Sequence, residues 1–363
     1  MASEENVRGA FRIQEFYCRR MDAPIYADIC VAIAEGLTRE SRTGARVLDW
    51  TGEPTRDALP LRLIGGLHAL VMAGADAELA AVFGGQVTAG ALNRAMARND
   101  DALLPWLDGP PQTNEPGRSG ALIVGLLEVA RRHGRKLEIL EIGSSGGLNL
   151  LIGRYRFDLG GATLGPADSP VTIVPEWRGE TQVLPPLEIV STRGCDVQPR
   201  NVTDPAVEAR LAAYVWAEKP ERLARLTNAI AMVREHGVRL DEGDAADWLE
   251  ARLAEPQEAG VTRVLMHSVV WQYLPDESAE RIRVAMKAAG AAATAERPLA
   301  WVAMEPDRAL AEQVVSVRSW PGDGEWQVVA TAHAHAAWVR PGDRVPAAEG
   351  EGIVLEAQAR VII

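Results

Sequence analysis

The sequence predicts an α/β fold in which a doubly wound parallel sheet follows a helical N-terminal segment. Three observations predict it. Up to residue 110, apolar side chains recur at helical spacing with little period-two alternation. Beyond residue 120, short apolar runs typical of buried strands alternate with helical segments. The chain then continues into two strand-like runs around a Gly/Pro/Asp turn, which indicates an antiparallel hairpin.

The first predicted domain is a helical subdomain that spans residues 1–110. Within it, Ile25, Ile29, Ile33 and Leu37 recur at four-residue steps, which keeps them near one helix face. Two further apolar segments, "LRLIGGLHALVMAG" and "AELAAVFGG", end at glycine, a common helix stop. The Gly-Pro-Pro at 109–111 breaks any helix and marks the domain boundary.

The second predicted domain covers residues 111–363 and alternates strands with helices. Strands are predicted at 137–143, 187–197, 238–242, 261–268 and 298–306. Helices are predicted at 120–134, 147–157, 205–217, 220–236, 245–254 and 276–290. Residues 158–186, rich in Gly, Pro and Thr, are interpreted as an insertion that holds a hairpin. The closing hairpin of 314–320 and 325–339 favours a Rossmann-like sheet of the class I methyltransferase type over a nicotinamide-binding domain, which usually continues in parallel.

Length and composition restrict the class of protein. The 363 residues are 47% hydrophobic and 24% charged, a balance typical of globular proteins. The net charge of −12 argues against nucleic acid as a partner, because phosphates are repelled. Three widely spaced cysteines form neither a disulfide framework nor a zinc motif, and no run is apolar enough to cross a bilayer. We expect a cytoplasmic protein; the sequence leaves its oligomeric state open.

The loop after the first predicted strand, "EIGSSGG", is the first candidate binding site. Its glycine spacing does not fit the dinucleotide fingerprint Gly-x-Gly-x-x-Gly. It aligns with acid-x-Gly-x-Gly-x-Gly, the loop of S-adenosylmethionine enzymes, with serine in place of the middle glycine. An acid at the strand end suits the ammonium group of S-adenosylmethionine and repels a pyrophosphate. A structural strand–helix turn is the alternative. The expected cofactor-binding residues are Glu141, Gly143, Ser144, Ser145, Gly147 and Asn149.

Two further acids follow the next two predicted strands. Asp196 ends the second strand, where a carboxylate can accept both ribose hydroxyls of a nucleoside. Asp244, with the amide of Ala245, follows the third strand and is expected to bind the adenine amino group. The alternatives are a solvated strand-end acid for Asp196 and a helix cap for Asp244. Three acids at three successive strand ends are a more specific indication of a cofactor site than any one of them.

The fourth predicted strand ends in "MHSVVWQYLP". In class I methyltransferases the groups after this strand line the pocket of the methyl acceptor, so the same is expected here. His267, whose type titrates near neutral pH, is the predicted general base, with Tyr273 and Glu305 as further catalytic candidates. Ser268, Trp271 and Gln272 are expected to contact the substrate. Core packing is the alternative for the aromatic residues and a satisfied buried position is the alternative for His267.

Two other polar segments complete the candidate site. "QTNEPGRSG" offers Asn114, Glu115 and Arg118; Arg118 can bind a carboxylate with two hydrogen bonds or pair with Glu115. "TAHAHA" places His333 and His335 on one face of a predicted strand. These histidines with His267 and Glu305 would be plausible metal ligands, but the chain has no short His or Cys ligand motif, and no metal is expected.

With these residues in hand, the chain resembles the bacterial family named domain of unknown function 2332. The resemblance covers nearly the full length and rests on "RLIGGLHALVMAG", "QTNEPGRSGAL", "LEIGSSGGLNLLIGRYRF", "RGCDVQPRNVTDP", "HSVVWQYLP" and "TAHAHAAWVRP". It implies a methyltransferase-like fold without assigning a reaction. The residues themselves favour an S-adenosylmethionine-dependent methyltransferase acting on a small molecule. The alternatives are a non-catalytic binding or regulatory protein with the same fold and, less favoured, a metal-dependent enzyme.

Overall fold

The computed structural model describes residues 2–111, 113–307 and 312–346, and it describes side chains as far as residue 342. Its helices are α1 (Glu4–Arg20), α2 (Pro24–Gly36), α3 (Arg42–Leu48), α4 (Leu59–Met72), α5 (Ala77–Phe83), α6 (Ala89–Arg98), α7 (Asp100–Leu103), α8 (Ser119–His133), α9 (Pro205–Ala213), α10 (Pro220–His236), α11 (Ala245–Leu253) and α12 (Asp276–Ala292). Short 3-10 helices lie at Leu104–Leu107, Pro116–Arg118, Leu148–Arg154 and Trp271–Tyr273.

The strands are β1 (Lys136–Ile142), β2 (Arg156–Leu159), β3 (Ala162–Leu164), β4 (Thr172–Ile173), β5 (Glu176–Trp177), β6 (Glu188–Asp196), β7 (Leu240–Glu242), β8 (Thr262–Ser268), β9 (Leu299–Asp307), β10 (Glu312–Trp320), β11 (Gln327–Ala332) and β12 (Trp338–Pro346). The chain is therefore a mixed α/β protein with a large, mostly parallel sheet and helices. Its described residues divide into two compact units, one formed by those up to Thr113 with Asp204–Ala224, the other by Asn114–Thr203 with those between Arg225 and Pro346.

The first unit is helical. Helices α1, α3, α5, α6 and α9 begin at side-chain caps, in which an oxygen of Ser3, Ser41, Asp76, Thr88 or Asp204 accepts a backbone amide of the first turn. The apolar faces meet in a core that includes Phe11, Ile29, Leu63, Leu67 and Leu92. Burial of these side chains from water is the main force that holds the helices together.

The segment Asp204–Ala224 packs with the N-terminal helices, although the sequence analysis placed it inside the α/β domain. Trp216 lies 5.6 Å from Tyr26 between ring centroids and joins the helical core. The backbone carbonyl of Ala213 is 3.0 Å from His68 Nδ1. Apolar side chains and a buried hydrogen bond, which sequence position does not reveal, decide where this segment packs.

No single helix within the described residues is long and apolar enough to cross a membrane. Two helices, Leu59–Met72 and Ala77–Phe83, are long and apolar enough only when they are taken together, and the chain bends by 117° between them.

The second unit is built on a nine-stranded sheet with the order β5-β12-β11-β10-β9-β8-β1-β6-β7. Strands β7, β6, β1, β8 and β9 are parallel to one another. β10 and β11 are antiparallel to their neighbours, and β12 and β5 extend the sheet beyond them. Every residue of β8 is buried, as expected for a parallel strand with both sheet faces covered.

Different helices cover the two faces of this sheet. Gly125 of α8 lies against Val302 and Val315, on one face. On the other face, α11 and α12 pack over a core that includes Leu140, Leu265 and Trp301. In the chain between β1 and β6, residues 156–164 form a hairpin of β2 and β3, to which β4 adds a third strand. β2 begins at Arg156, within the segment 147–157 that the sequence predicted as a helix; the helical part there is the 3-10 helix Leu148–Arg154.

Gly125→Ala tests the close packing of α8 on the sheet. A Cβ at this position would lie 2.5 Å from Val302 Cγ1, inside the van der Waals distance. Overpacking costs about 1–3 kcal/mol and exceeds the smaller gain in helix propensity, so we expect a lower free energy of unfolding in chemical denaturation. The control is Gly9→Ala in α1, where a Cβ would meet nothing within 4 Å and stability should rise. Equal stabilisation by both substitutions would contradict this packing.

Candidate functional site

The candidate site lies at the carboxyl ends of the parallel strands in the second unit. β1 pairs with β6 on one side and with β8 on the other, so the strand order reverses at β1. In open α/β sheets, ligands bind in the crevice that this reversal creates. The loop that leaves β1 therefore occupies the position where a ligand is expected.

The loop after β1 adopts left-handed backbone at alternate positions. The φ angles are +66° at Gly143, +54° at Ser145 and +75° at Gly147. Side chains with a Cβ rarely adopt this region, which explains why glycine is the residue that fits the first, third and fifth positions of such a loop. Ser145 keeps the same backbone shape as a glycine there and carries the conformational cost.

The backbone amides of this loop are bound by the protein itself. The Ser145 amide donates to Asp196 Oδ2 at 2.9 Å and the Ser144 amide to the Cys195 carbonyl at 3.0 Å. The Leu148 amide donates to Asn114 Oδ1 at 3.1 Å. These bonds fix the loop against β6 and the segment before α8. The amides of Ser144, Ser145 and Leu148 are therefore already engaged within the protein.

Glu141, the acid before the loop, is enclosed by the protein. Its Oε2 atom is buried and has no hydrogen-bond partner among the described residues. Burial raises the pKa of Glu141 from 4.5 to about 7, although hydrogen bonds with Ser144 and Asn149 oppose the rise. Asn149 Oδ1 in turn accepts the Ser119 hydroxyl at 3.0 Å. A cationic group near the unpaired oxygen would stabilise the ionised form.

Asp196 and Asp244 end neighbouring strands but have different roles. Asp196 is half-buried, and its two oxygens accept the amides of Ser145 and Gln198, both at 2.9 Å. Each oxygen keeps a second lone pair for a ligand hydroxyl. Asp244 caps α11: Oδ1 accepts from the amides at 246 and 247, and Oδ2 from the Ser278 hydroxyl at 2.9 Å. Asp244 therefore caps the helix in this structure, which was the alternative to adenine binding in the sequence analysis. Ala245 is buried beside it.

His267 and Glu305 form a buried pair on the sheet face opposite to Glu141. His267 is fully buried, and its Nδ1 lies 2.7 Å from Glu305 Oε1. Glu141 pairs with Met266 across β1 and β8, and successive strand residues alternate in direction, so His267 points to the other face. A substrate does not reach the imidazole of His267 in this arrangement. The buried alternative describes its position, and its catalytic role stays a prediction.

The remaining residues after β8 differ widely in exposure. Trp271 is buried and stacks on His267 with ring centroids 5.4 Å apart. Ser268 is buried, Gln272 is half-buried, and Tyr273 is 55% exposed. Tyr273 and Gln272 are therefore the side chains of this segment that present polar groups to solvent.

The structure corrects the prediction that His333 and His335 lie on one strand. β11 ends at Ala332, and the two histidines occupy a tight turn before β12. The Ala336 amide donates to the His333 carbonyl at 2.8 Å and the His335 amide to His333 Nδ1 at 3.1 Å. The imidazole binds its own backbone and so favours a turn where the alternating pattern indicated a continuous strand.

This turn meets the segment before α8, which joins two motifs that lie far apart in the sequence. Arg118 Nε donates to the Ala334 carbonyl at 3.3 Å. Glu115 is buried, and its Oε1 atom lies 3.2 Å from Nη2 of Arg225. Arg118 is close enough to Glu141 to act on its charge. Arg225 could not be predicted from the sequence, because 110 positions separate it from Glu115.

Within the described ranges, no group of three or more His, Cys, Asp or Glu side chains is arranged to hold a metal ion. His267 and Glu305 contact one another, whereas His333 and His335 contact each other in the turn.

A family model described as "Uncharacterized protein conserved in bacteria (DUF2332)" matches residues 8–340. The chain belongs to this family. A search of curated proteins and a search of solved structures each returned no match. The family description names no reaction, so the chemistry of this DUF2332 chain follows from its own residues.

Ser145→Gly tests the strained position of the loop in this DUF2332 chain. Relief of the left-handed backbone is worth about 1–2 kcal/mol, and the greater freedom of glycine in the unfolded chain offsets part of it. We expect a net increase in the free energy of unfolding. Ser191→Gly, on the exposed part of β6, is the control and should lower stability. Destabilisation by Ser145→Gly as large as that of the control would contradict the left-handed assignment.

Glu141→Gln tests the buried carboxyl through the pH dependence of stability. The folded pKa of about 7 lies above the ordinary 4.5, so protonated Glu141 favours folding below pH 4.5 and this contribution is lost as the pH rises through 7. The loss amounts to about 3 kcal/mol. Denaturation curves between pH 4.5 and 7 should decline less for Glu141→Gln than for the wild type.

Glu128→Gln is the control for this pH dependence, because Glu128 is a buried carboxylate paired with Arg131 and Arg132 on α8. It should retain the wild-type decline. Identical pH profiles for wild type and Glu141→Gln would contradict the raised pKa.

Proposed function

We propose that this protein is an S-adenosylmethionine-dependent methyltransferase that acts on a small molecule, with a class I methyltransferase-like fold. The observation that carries the proposal is the convergence at β1. A loop with left-handed backbone at Gly143, Ser145 and Gly147 lies between a buried acid, Glu141, and a strand-end carboxylate, Asp196. The strand order reverses at this place.

The residues present fit this cofactor. The unpaired Glu141 Oε2 would gain a partner from an ammonium group, and the ionised carboxylate would then be stabilised by an opposite charge. Asp196 has lone pairs for the ribose hydroxyls. Asp244 and Ala245, at the end of the neighbouring β7, are proposed to border the adenine. When bound, S-adenosylmethionine supplies an electrophilic methyl group.

The acceptor is proposed to bind beside the segment after β8. Tyr273 and Gln272 present polar groups there, and Arg118 adds a positive charge near Glu141. Asn114, Glu115, Ser268 and Trp271 are proposed to shape this side of the pocket, and His333 with His335 to border it through the turn that Arg118 contacts. Orientation of the acceptor by these groups is the main contribution of the protein to the rate, because aligned reactants lose less entropy on reaction.

A non-catalytic binding or regulatory protein is the second candidate. The engaged loop amides and the enclosed His267 favour it, since neither offers a group to a reacting molecule. It predicts that Glu141→Ala and Asp196→Ala leave the cellular phenotype intact, whereas the enzyme requires both side chains.

Calorimetric titration with S-adenosylhomocysteine and S-adenosylmethionine tests the proposed function. Wild-type protein should bind both. Glu141→Gln and Asp196→Asn should each weaken binding about tenfold or more, because each removes a charged hydrogen-bonding partner. Glu128→Gln, remote on α8, should bind as the wild type does. Absence of heat for either compound with folded wild-type protein would refute the proposal.

A further inference from the structure

The pair of His267 and Glu305 is enclosed by aromatic rings. His267 stacks on Trp271 at an interplanar angle of 24° and lies 6.0 Å from Trp301 between ring centroids. The guanidinium of Arg283 lies over the ring of Trp271, 5.1 Å from its centroid. His267 Nε2 and Glu305 Oε2 are buried without hydrogen-bond partners among the described residues. This environment suits a fixed structural pair and lacks the access that a proton-transfer group needs.

Glu305 holds the backbone of the loop after β8. Its Oε1 atom accepts the amide of Val270 at 3.1 Å and that of Trp271 at 3.2 Å, in addition to His267 Nδ1. One carboxyl oxygen of Glu305 thus binds two successive backbone amides and the imidazole.

The loop that Glu305 holds has a strained backbone. Val269 has a φ of +54°, a region that a β-branched residue rarely adopts. Its amide donates to the Met304 carbonyl at 2.9 Å, next to Glu305 on β9. Strained backbone persists where its surroundings fix it, and here β9 supplies those contacts on both sides of the strained residue.

Val270 connects this loop to the loop after β1. A Cβ built at Gly143 would lie 2.3 Å from Val270 Cγ2, so the valine side chain fills the space that glycine leaves open. Gly143 begins the left-handed positions of the candidate cofactor loop. The contact therefore runs from Glu305, on one face of the sheet, through Val270 to the loop that follows Glu141, on the other face.

We propose that His267 and Glu305 are positioning residues that set the conformation of the candidate cofactor loop through Val270. Glu305 binds the backbone amides of residues 270 and 271. The backbone held in this way positions the side chain of Val270, which packs against Gly143. His267 holds the Glu305 carboxyl group in place through the hydrogen bond at Nδ1. This pair thus has a role other than the general-base chemistry predicted from the sequence. Its ligand-binding consequence rests on the proposed function; its structural coupling does not.

Hydrogen–deuterium exchange of the full chain, read by mass spectrometry without ligand, tests the coupling. Glu305→Ala should speed amide exchange about tenfold or more in peptides covering 143–147 and 269–273, since both lose their restraint. Val270→Ala keeps the Glu305 hydrogen bonds and should speed exchange at 143–147 alone. Glu305→Gln retains an acceptor oxygen and should restore most of the protection. Peptides of α8 serve as the internal control and should be unchanged.

Two outcomes would overturn the inference. Faster exchange at 269–273 with unchanged exchange at 143–147 in Glu305→Ala would show that the loops are uncoupled. If α8 also exchanges faster in Glu305→Ala, that variant has lost stability throughout, and Val270→Ala, a milder change, decides. Unchanged exchange at 143–147 in Val270→Ala would then overturn the inference. Titration with S-adenosylhomocysteine is a separate readout: weaker binding by Val270→Ala supports the ligand consequence, and no binding by the wild type refutes the proposed function while the exchange result still decides the coupling.

Discussion

The hydrogen bond from the Ser145 amide to the Asp196 carboxylate is the interaction on which the candidate site depends. It joins the ends of β1 and β6 and holds a non-glycine residue in left-handed backbone. The same carboxylate is the group expected to accept the ribose, so loop geometry and ligand recognition share one side chain. Removal of Asp196 would thus disturb the loop and the ligand contact together, which is why variants at Glu141 are needed to separate the two effects.

The sheet separates two buried acids that the sequence placed in one site. Glu141 faces α8 with an unpaired oxygen, whereas Glu305 faces the core under α11 and α12 and binds His267. The two carboxyl groups differ in the partners of their other oxygen atoms: Glu141 bonds with the side chains of Ser144 and Asn149, whereas Glu305 Oε1 binds an imidazole and two backbone amides. The loops beyond the strand ends bring the two sides together, and Val270 packs against Gly143 there.

Much of the sheet was predictable, because buried parallel strands are short apolar runs and their carboxyl ends meet at one edge. Asp196 beside Ser145 follows from that rule. The turn at His333 was not predictable from alternation, since the imidazole bonds to its own backbone. The contact of Val270 with Gly143 and the packing of Asp204–Ala224 with the helical unit depend on side-chain shape and on distant partners. The cap role of Asp244 was foreseen as an alternative, because a local hydrogen-bond pattern is visible in the sequence.

The loop after β1 is proposed to bind S-adenosylmethionine, and a crystal structure of the protein with S-adenosylhomocysteine tests this most directly. We expect the ribose hydroxyls within hydrogen-bond distance of Asp196 and the amino group next to Glu141 Oε2, with the left-handed backbone at Ser145 retained. A ligand bound elsewhere, or crystals soaked at saturating concentration with an empty loop, would contradict it.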